Sequence, residues 1–330
     1  MNLVITCVGR RCELIEYFRK ELNPDCKVIA VDITDFAPAL YLADKSHILE
    51  KDIDNLENYI DQLVSVCLEE KATHILTLID PELELLAKYR AKFESNNITL
   101  ILSSDDVIES TFDKYLFYCN FKDSLNLLTT YHTKDKIKEA LDNNSISCPL
   151  IAKPRCGSGS VGLTTIHYRN EFDTLKFNHK YHYVFQKSLN CVELGIDAYF
   201  DLITGKLASV FIKEKVALRS GETDKAVSVF NQKVFDEIKK LETHGGFKGP
   251  VDIDVFIDSD GGVFINEINP RFGGGYPMAH NCGADFVKLI AKNMRGETNE
   301  PIVTPRYKLG VMMMKHNQAL FKDGDNIYSG

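Results

Sequence analysis

The order of the first hundred residues constrains this chain most: apolar runs of four to seven residues alternate there with longer stretches of helical period. Residues 2–8, 28–32, 74–79 and 99–102 read as buried parallel strands. Strands covered on both faces lose the apolar–polar alternation of a half-exposed sheet and become nearly continuous in Val, Ile and Leu. Residues 14–22, 56–70 and 82–93 read as the helices that cross between them. The expectation is a doubly wound α/β unit, Rossmann-like in its order. The first run ends in Gly9-Arg10-Arg11 and lacks the Gly-x-Gly-x-x-Gly loop that lets a backbone approach a pyrophosphate. Asp32 therefore reads as a strand-end carboxylate at a crevice, and a nicotinamide oxidoreductase built on this unit is disfavoured.

Beyond residue 112 the pattern changes to α+β. A helix over 114–121, a strand over 149–154 and strands near 193–200, 207–213, 251–257, 262–268 and 308–315 are expected, with long helices near 225–243 and 285–295. A chain of 330 residues, 44% of them hydrophobic, supports two or three units with cores of their own. The expected division is 1–112, 113–186 and 187–330. Lys and Arg number 39 against 47 Asp and Glu, a net charge of −8, which argues against a nucleic-acid groove. No apolar run approaches the length of a membrane span. The nine cysteines are scattered without a Cys-x-x-Cys pair and read as reduced thiols of a cytoplasmic protein; residues 1–13 carry no secretory pattern.

Two segments carry chemistry. Lys153 stands at a strand end just before Gly157-Ser158-Gly159-Ser160-Val161-Gly162, where residues without Cβ let backbone N–H groups gather on an oxygen-rich ligand beside an ammonium. This reads as a phosphate lid. About 100 residues later, strand alternation places Asp252 and Asp254 on one face, and Glu267 with Asn269 on one face of the following strand. A hairpin pairing would join these hard oxygen ligands into a site that suits Mg²⁺ or Mn²⁺, completed by nucleotide phosphates. His179 and His182 have a metal-like spacing but no carboxylate or thiol neighbours, and read as an exposed turn.

These residues resemble the ATP-grasp enzymes, and within them single-copy proteins similar to half of a carbamoyl phosphate synthase large subunit. The resemblance spans essentially the whole chain and rests on residues 6–11 with Asp80-Pro81-Glu82, Asp113-Lys114, 153–162, 186–197, and above all Glu267-Ile268-Asn269-Pro270-Arg271-Phe272-Gly273-Gly274-Gly275. It implies a Rossmann-like domain followed by a two-subdomain ATP clamp. Lys114 and Lys153 would hold the nucleotide phosphates under the lid of Gly157 to Gly162. Gln186, Lys187 and Leu189 would form the hinge whose backbone reads adenine, and Glu193 would accept the ribose hydroxyls. Arg219, in a basic stretch with Lys213 and Lys215, would approach the terminal phosphate, and Arg271 the transferred phosphoryl group. Asp254, Glu267 and Asn269 would be the metal ligands; the synthases carry an amide at the first of these positions.

The implied reaction is a ligation. A small-molecule carboxylate attacks the terminal phosphate of ATP, and an amine or other nucleophile attacks the acyl phosphate, with ADP and phosphate released. His280 stands as a candidate base or acceptor contact, and Asp80 or Glu82 as a candidate for holding an amino group. A homodimer is left open. The rival reading is a non-catalytic ATP-binding regulatory module. Free carbamoyl phosphate synthesis is not expected, because the second half of the synthase is missing.

Overall fold

The computed structural model describes residues 1–157, 161–174, 182–219, 221–324 and 326–329. The expected lid residues Ser158, Gly159 and Ser160, and His179, lie outside the described residues. In the first hundred residues β1 (Asn2–Thr6), β2 (Val28–Asp32), β3 (Lys45–Ile48), β4 (Ala72–Thr77) and β5 (Thr99–Leu100) form one sheet in the order β3-β2-β1-β4-β5. All its pairings are parallel. The order reverses at β1, which has β2 on one side and β4 on the other, so the crevice at the carboxyl ends of β1 and β4 is the natural binding edge of the sheet. Those two ends deliver the loop Gly9-Arg10-Arg11 and the helix Asp80–Lys88. Asp32 accepts the Gly9 N–H at 2.9 Å and so holds the first loop.

Strand β3 was not anticipated: Lys45-Ser46-His47-Ile48 is an exposed edge with no apolar run to announce it. The helix expected over 82–93 is interrupted, running as Asp80–Lys88 and Arg90–Glu94.

A smaller sheet, β7-β6-β8, contains β6 (Leu150–Pro154), β7 (Thr164–Ile166) and β8 (Tyr183–Lys187). It packs on the helix Lys134–Asp142 through Ile137, Leu150 and Phe185. The largest sheet is six-stranded, in the order β13-β12-β9-β10-β11-β14. Its strands are β9 (Cys191–Phe200), β10 (Leu207–Arg219), β11 (Glu222–Val229), β12 (Gly249–Asp258), β13 (Val263–Asn269) and β14 (Met312–Met314). A terminal hairpin of β15 (Leu320–Asp323) and β16 (Asn326–Ser329) follows. Here β11 corrects the sequence reading, which placed a helix from residue 225. Thr223, Val227 and Val229 favour extended backbone, and the helix starts only at Gln232, where Asn231 accepts the Val234 N–H at 3.2 Å.

Alternation along the six-stranded sheet separates chemistry from core. On β9 Leu194, Ile196 and Ala198 point into an apolar cluster with Ile253, Val255, Ile265 and the helices Lys114–Phe121 and Gln232–Lys239. Glu193, Gly195 and Asp197 point the other way. A second cluster runs without interruption from Leu3 and Ile5 of the first sheet, through Phe18, to Phe272, Tyr276 and the helix Phe286–Met294. The first unit therefore shares its core with the last, which fixes the crevice of β1 and β4 over the charged face of the large sheet. No helix among the described residues is long and apolar enough to cross a membrane.

Candidate active site

The register of the large sheet assembles the site. Asn269 of β13 lies opposite Asp252 of β12, which lies opposite Asp197 of β9; Glu267 lies opposite Asp254, which lies opposite Gly195. Lys213 of β10 pairs in register with Gly195, and Lys215 stands two residues further along the same face. The side chains then form a lattice of alternating charge. Lys215 Nζ sits 2.5 Å from Asp254 and 2.7 Å from Glu193, while Lys213, 1% exposed, is ion-paired with the equally buried Asp197. A Cβ on Gly195 would lie 3.0 to 3.1 Å from both lysine side chains, so the missing side chain is what lets two lysines cross the strand. Burial, with Asp252 and Glu267 as close neighbours, pushes the Asp254 carboxyl up to about 7 despite Lys215.

Opposite the acidic pair stand two lysines. Lys114 is the first residue of its helix, the end where the helix dipole disfavours a cation, and it is held there by a tight start. Asp113 accepts the N–H groups of Tyr115 and Leu116 at 2.9 and 3.0 Å and pairs with Arg155 at 2.5 Å, while the Lys114 N–H donates to the Arg155 carbonyl. The ammonium of Lys114 donates to the Gly157 carbonyl at 2.6 Å and lies 3.8 Å from Glu267. Lys153, at the end of β6, donates to Asn266 at 3.0 Å. Burial and the nearby Lys114 lower its ammonium to about 8, with Glu267 opposing. Two buried ammonium groups side by side call for an anion.

The loop after β13 closes the other end. Arg271 bridges the units, 3.0 Å from Asp80 and 3.1 Å from Asp252, and donates to the Phe272 carbonyl. Although burial works against its charge, the two carboxylates hold its pKa above the ordinary value. Gly273-Gly274-Gly275 lies directly on the charged face: a Cβ would come 2.5 Å from Asp252 Cγ at Gly273 and 2.5 Å from Lys213 Cε at Gly275. Lys114, Lys153, Glu193, Asp254, Glu267, Asn269 and Arg271 all line one cleft of about 410 Å³.

Other expected site residues stand elsewhere. Arg219, at the far end of β10, is exposed and faces Asp224 and Asn317 at 3.4 Å, off the cleft wall. Lys215 occupies the site face instead. His280 also stays outside the cleft, stacked on Tyr17 with ring centroids 3.8 Å apart and its Nδ1 3.2 Å from Asp285. Glu82 is fully buried and accepts from Thr6, Thr77 and Tyr59, tying the ends of β1 and β4 together, so of the two acidic candidates only Asp80 reaches the cleft. Gln186 turns its side chain inward onto Thr130 at 2.8 Å, and the segment's backbone is tied to β6, with Gln186 and Lys187 in register and the Ser188 N–H donating to the Pro149 carbonyl; Lys187 is exposed and Leu189 half-buried. The sequence reading missed Asn266 as the partner of Lys153 and the Asp197–Lys213 pair. The alternation of Lys213-Glu214-Lys215 against Glu193-Leu194-Gly195-Ile196-Asp197 carried the second.

Residues 3–101 match the model of the PylC-like N-terminal domain, and residues 181–317 match that of the ATP-grasp in the biosynthetic pathway with Ter operon. The ATP-grasp match is thus to the segment that carries most of the large sheet. Among solved structures the chain is similar to the biotin carboxylase domain of Hydrogenobacter thermophilus 2-oxoglutarate carboxylase, in complex with MgADP, ADP and bicarbonate. The TM-score is 0.73 at 15% identity, over 94% of this chain and 73% of that one. Staphylococcus aureus N5-carboxyaminoimidazole synthetase complexed with ADP gives a TM-score of 0.72 at 17% identity over 93% and 79%. Campylobacter jejuni biotin carboxylase gives 0.74 at 15% identity over 94% and 74%. No curated protein sequence matches. At these identities the likeness is one of ATP-grasp fold.

Proposed function

We propose that this chain is an ATP-grasp enzyme, an ATP-dependent ligase that joins a small carboxylate to an amine or related nucleophile through an acyl phosphate, releasing ADP and phosphate. The observation that carries the reading is the meeting, in one cleft, of the buried pair Lys114 and Lys153 with the carboxylates Asp254 and Glu267. The lysines would take the nucleotide phosphates, and Glu193 the ribose hydroxyls. Among the described residues no three His, Cys, Asp or Glu side chains converge as a self-sufficient metal cage. Asp254, Glu267 and Asn269 are instead a partial set of hard oxygen donors of the kind Mg²⁺ accepts alongside phosphates, with Asp254 and Glu267 directly opposite each other on neighbouring strands.

Bound Mg²⁺ would neutralise and orient the phosphate oxygens. The chain does the rest by placement. Arg271, fixed by Asp80 and Asp252, holds a guanidinium at the cleft end where the substrate carboxylate would meet the terminal phosphate, and charge developing there is met by a donor already in position. The test is hydroxylamine trapping. With a panel of carboxylic acids and ATP, one acid should yield a hydroxamate in step with ADP, whereas AMP and pyrophosphate as main products would refute transfer of the terminal phosphoryl group.

A further inference from the structure

The end of the cleft away from the lysines is walled by both signs of charge, and this bears on the class of substrate; the argument rests on the ligase reading. Arg11, from the loop after β1, reaches across to β11 and stands 3.1 Å from Glu222. Both side chains line the cleft. A Cβ on Gly274 would lie 2.7 Å from Arg11 Nη1 and 2.9 Å from Glu222, so the glycine loop, the first unit and the sheet edge meet at this pair. Lys315 fastens the loop by donating to the Gly274 carbonyl at 2.7 Å and lies 3.7 Å from Glu222.

Arg271, with two carboxylates and a carbonyl, has most of its donors engaged. Arg11 differs: among the described residues Glu222 is its one ion partner, and burial lowers its pKa, with Arg271 adding repulsion. Its guanidinium keeps a face to offer, and Glu222 keeps lone pairs. A purely anionic ligand would meet Glu222, Asp80 and Asp252; a purely cationic one would meet Arg11 and Lys315. A molecule carrying both charges can insert between Arg11 and Glu222, exchanging one ion pair for two without adding net charge to the site. The cleft, at about 410 Å³, also has to hold a nucleotide, which limits the ligand to a small one.

We propose that the Arg11–Glu222 end of the cleft binds a small α-amino acid as its zwitterion, the carboxylate on Arg11 and the ammonium on Glu222. Ligand-observed saturation-transfer NMR on the protein loaded with AMP-PNP, using a mixture of the common L-α-amino acids, identifies the binder. Titrations then compare it with its decarboxylated amine and its deaminated acid. The expected result is an amino acid bound about tenfold or more tighter than either analogue, as loss of a charge-assisted contact implies. Arg11→Gln should erase the preference over the amine, and Glu222→Gln the preference over the acid, with AMP-PNP affinity unchanged in both. Absence of any amino-acid signal on protein that binds AMP-PNP overturns the proposal, as does a variant that loses both preferences or neither. Failure to bind AMP-PNP at all removes the ligase reading, and the subsite with it.

Discussion

Replacing Lys153 by Met should raise the stability of the empty protein while weakening its hold on ATP. The ammonium is buried at the end of β6 with Asn266 as its hydrogen-bond acceptor and Lys114 as a repelling neighbour. Its pKa, lowered from 10.5 to about 8, corresponds to about 3 kcal/mol held against the charged form at neutral pH. The sign follows from linkage. The unfolded chain binds the proton more tightly, so the unfavourable contribution is complete below pH 8 and disappears as pH rises towards 10.5. Met fills similar volume without the charge and should gain part of that amount, about 1 to 2 kcal/mol after the lost hydrogen bond is deducted. On the proposed reading nucleotide phosphates are the partner of this ammonium, and ATP affinity should fall about ten- to a hundredfold in the variant. In the wild type, binding should take up a proton above pH 8, and affinity should decline there as pH rises; Lys153→Arg should flatten that profile, since the guanidinium stays charged. Urea unfolding at neutral pH and calorimetry in buffers of different ionisation enthalpy read both arms. A variant that is destabilised without nucleotide, or that binds ATP as tightly as the wild type, refutes the reasoning.

The other predictions concern the sheet face. Glu267→Gln combined with Asn269→Ala should abolish turnover at limiting Mg²⁺ while adenine nucleotide still binds, because the proposed function gives these side chains the metal and not the base; near-normal turnover would refute β13 as the metal strand. Lys213→Met leaves Asp197 buried without its partner and should cost about 3 to 5 kcal/mol in denaturant unfolding, with Asp197→Leu in the same chain restoring most of it; equal losses in the single and double variants would show that the pair is not what matters. Gly275→Ala sets a methyl 2.5 Å from Lys213 Cε and should destabilise by about 1 to 3 kcal/mol, and an unchanged midpoint would mean that the loop moves aside freely.

Much of the architecture was legible because it is written in local periodicity. The continuous runs of β1 and β2 and the alternation of β12 announce their burial residue by residue. The misreading of β11 has a local cause: only Phe230 and Asn231 separate the strand from a helix, so the two merge into one apolar-rich segment. Of the residues named through motif and resemblance, Lys114, Lys153, Asp254, Glu267, Asn269 and Arg271 share one cleft. Arg219 and His280 stand outside that cleft, since proximity in sequence to basic or glycine-rich stretches says nothing about which way a strand end or helix face is turned. Contacts such as Arg271 with Asp80, 191 residues apart, or Arg11 with Glu222, depend on how the first sheet is set over the last and have no local signature.

The residue-by-residue alternation along β9, β10 and β12 also limits how such a protein can diversify. Glu193, Asp197, Lys213, Asp252 and Asp254 each adjoin a buried apolar residue that supports the other face, so an inserted or deleted residue would exchange core for cleft along a whole strand. Change without that penalty is available only at the rim: the Gly9 to Arg11 loop, the Gly273 to Gly275 loop, and the outer strands β11 and β14. New contacts at the mouth of the cleft can therefore evolve there while the lysines and carboxylates of the interior stay as they are.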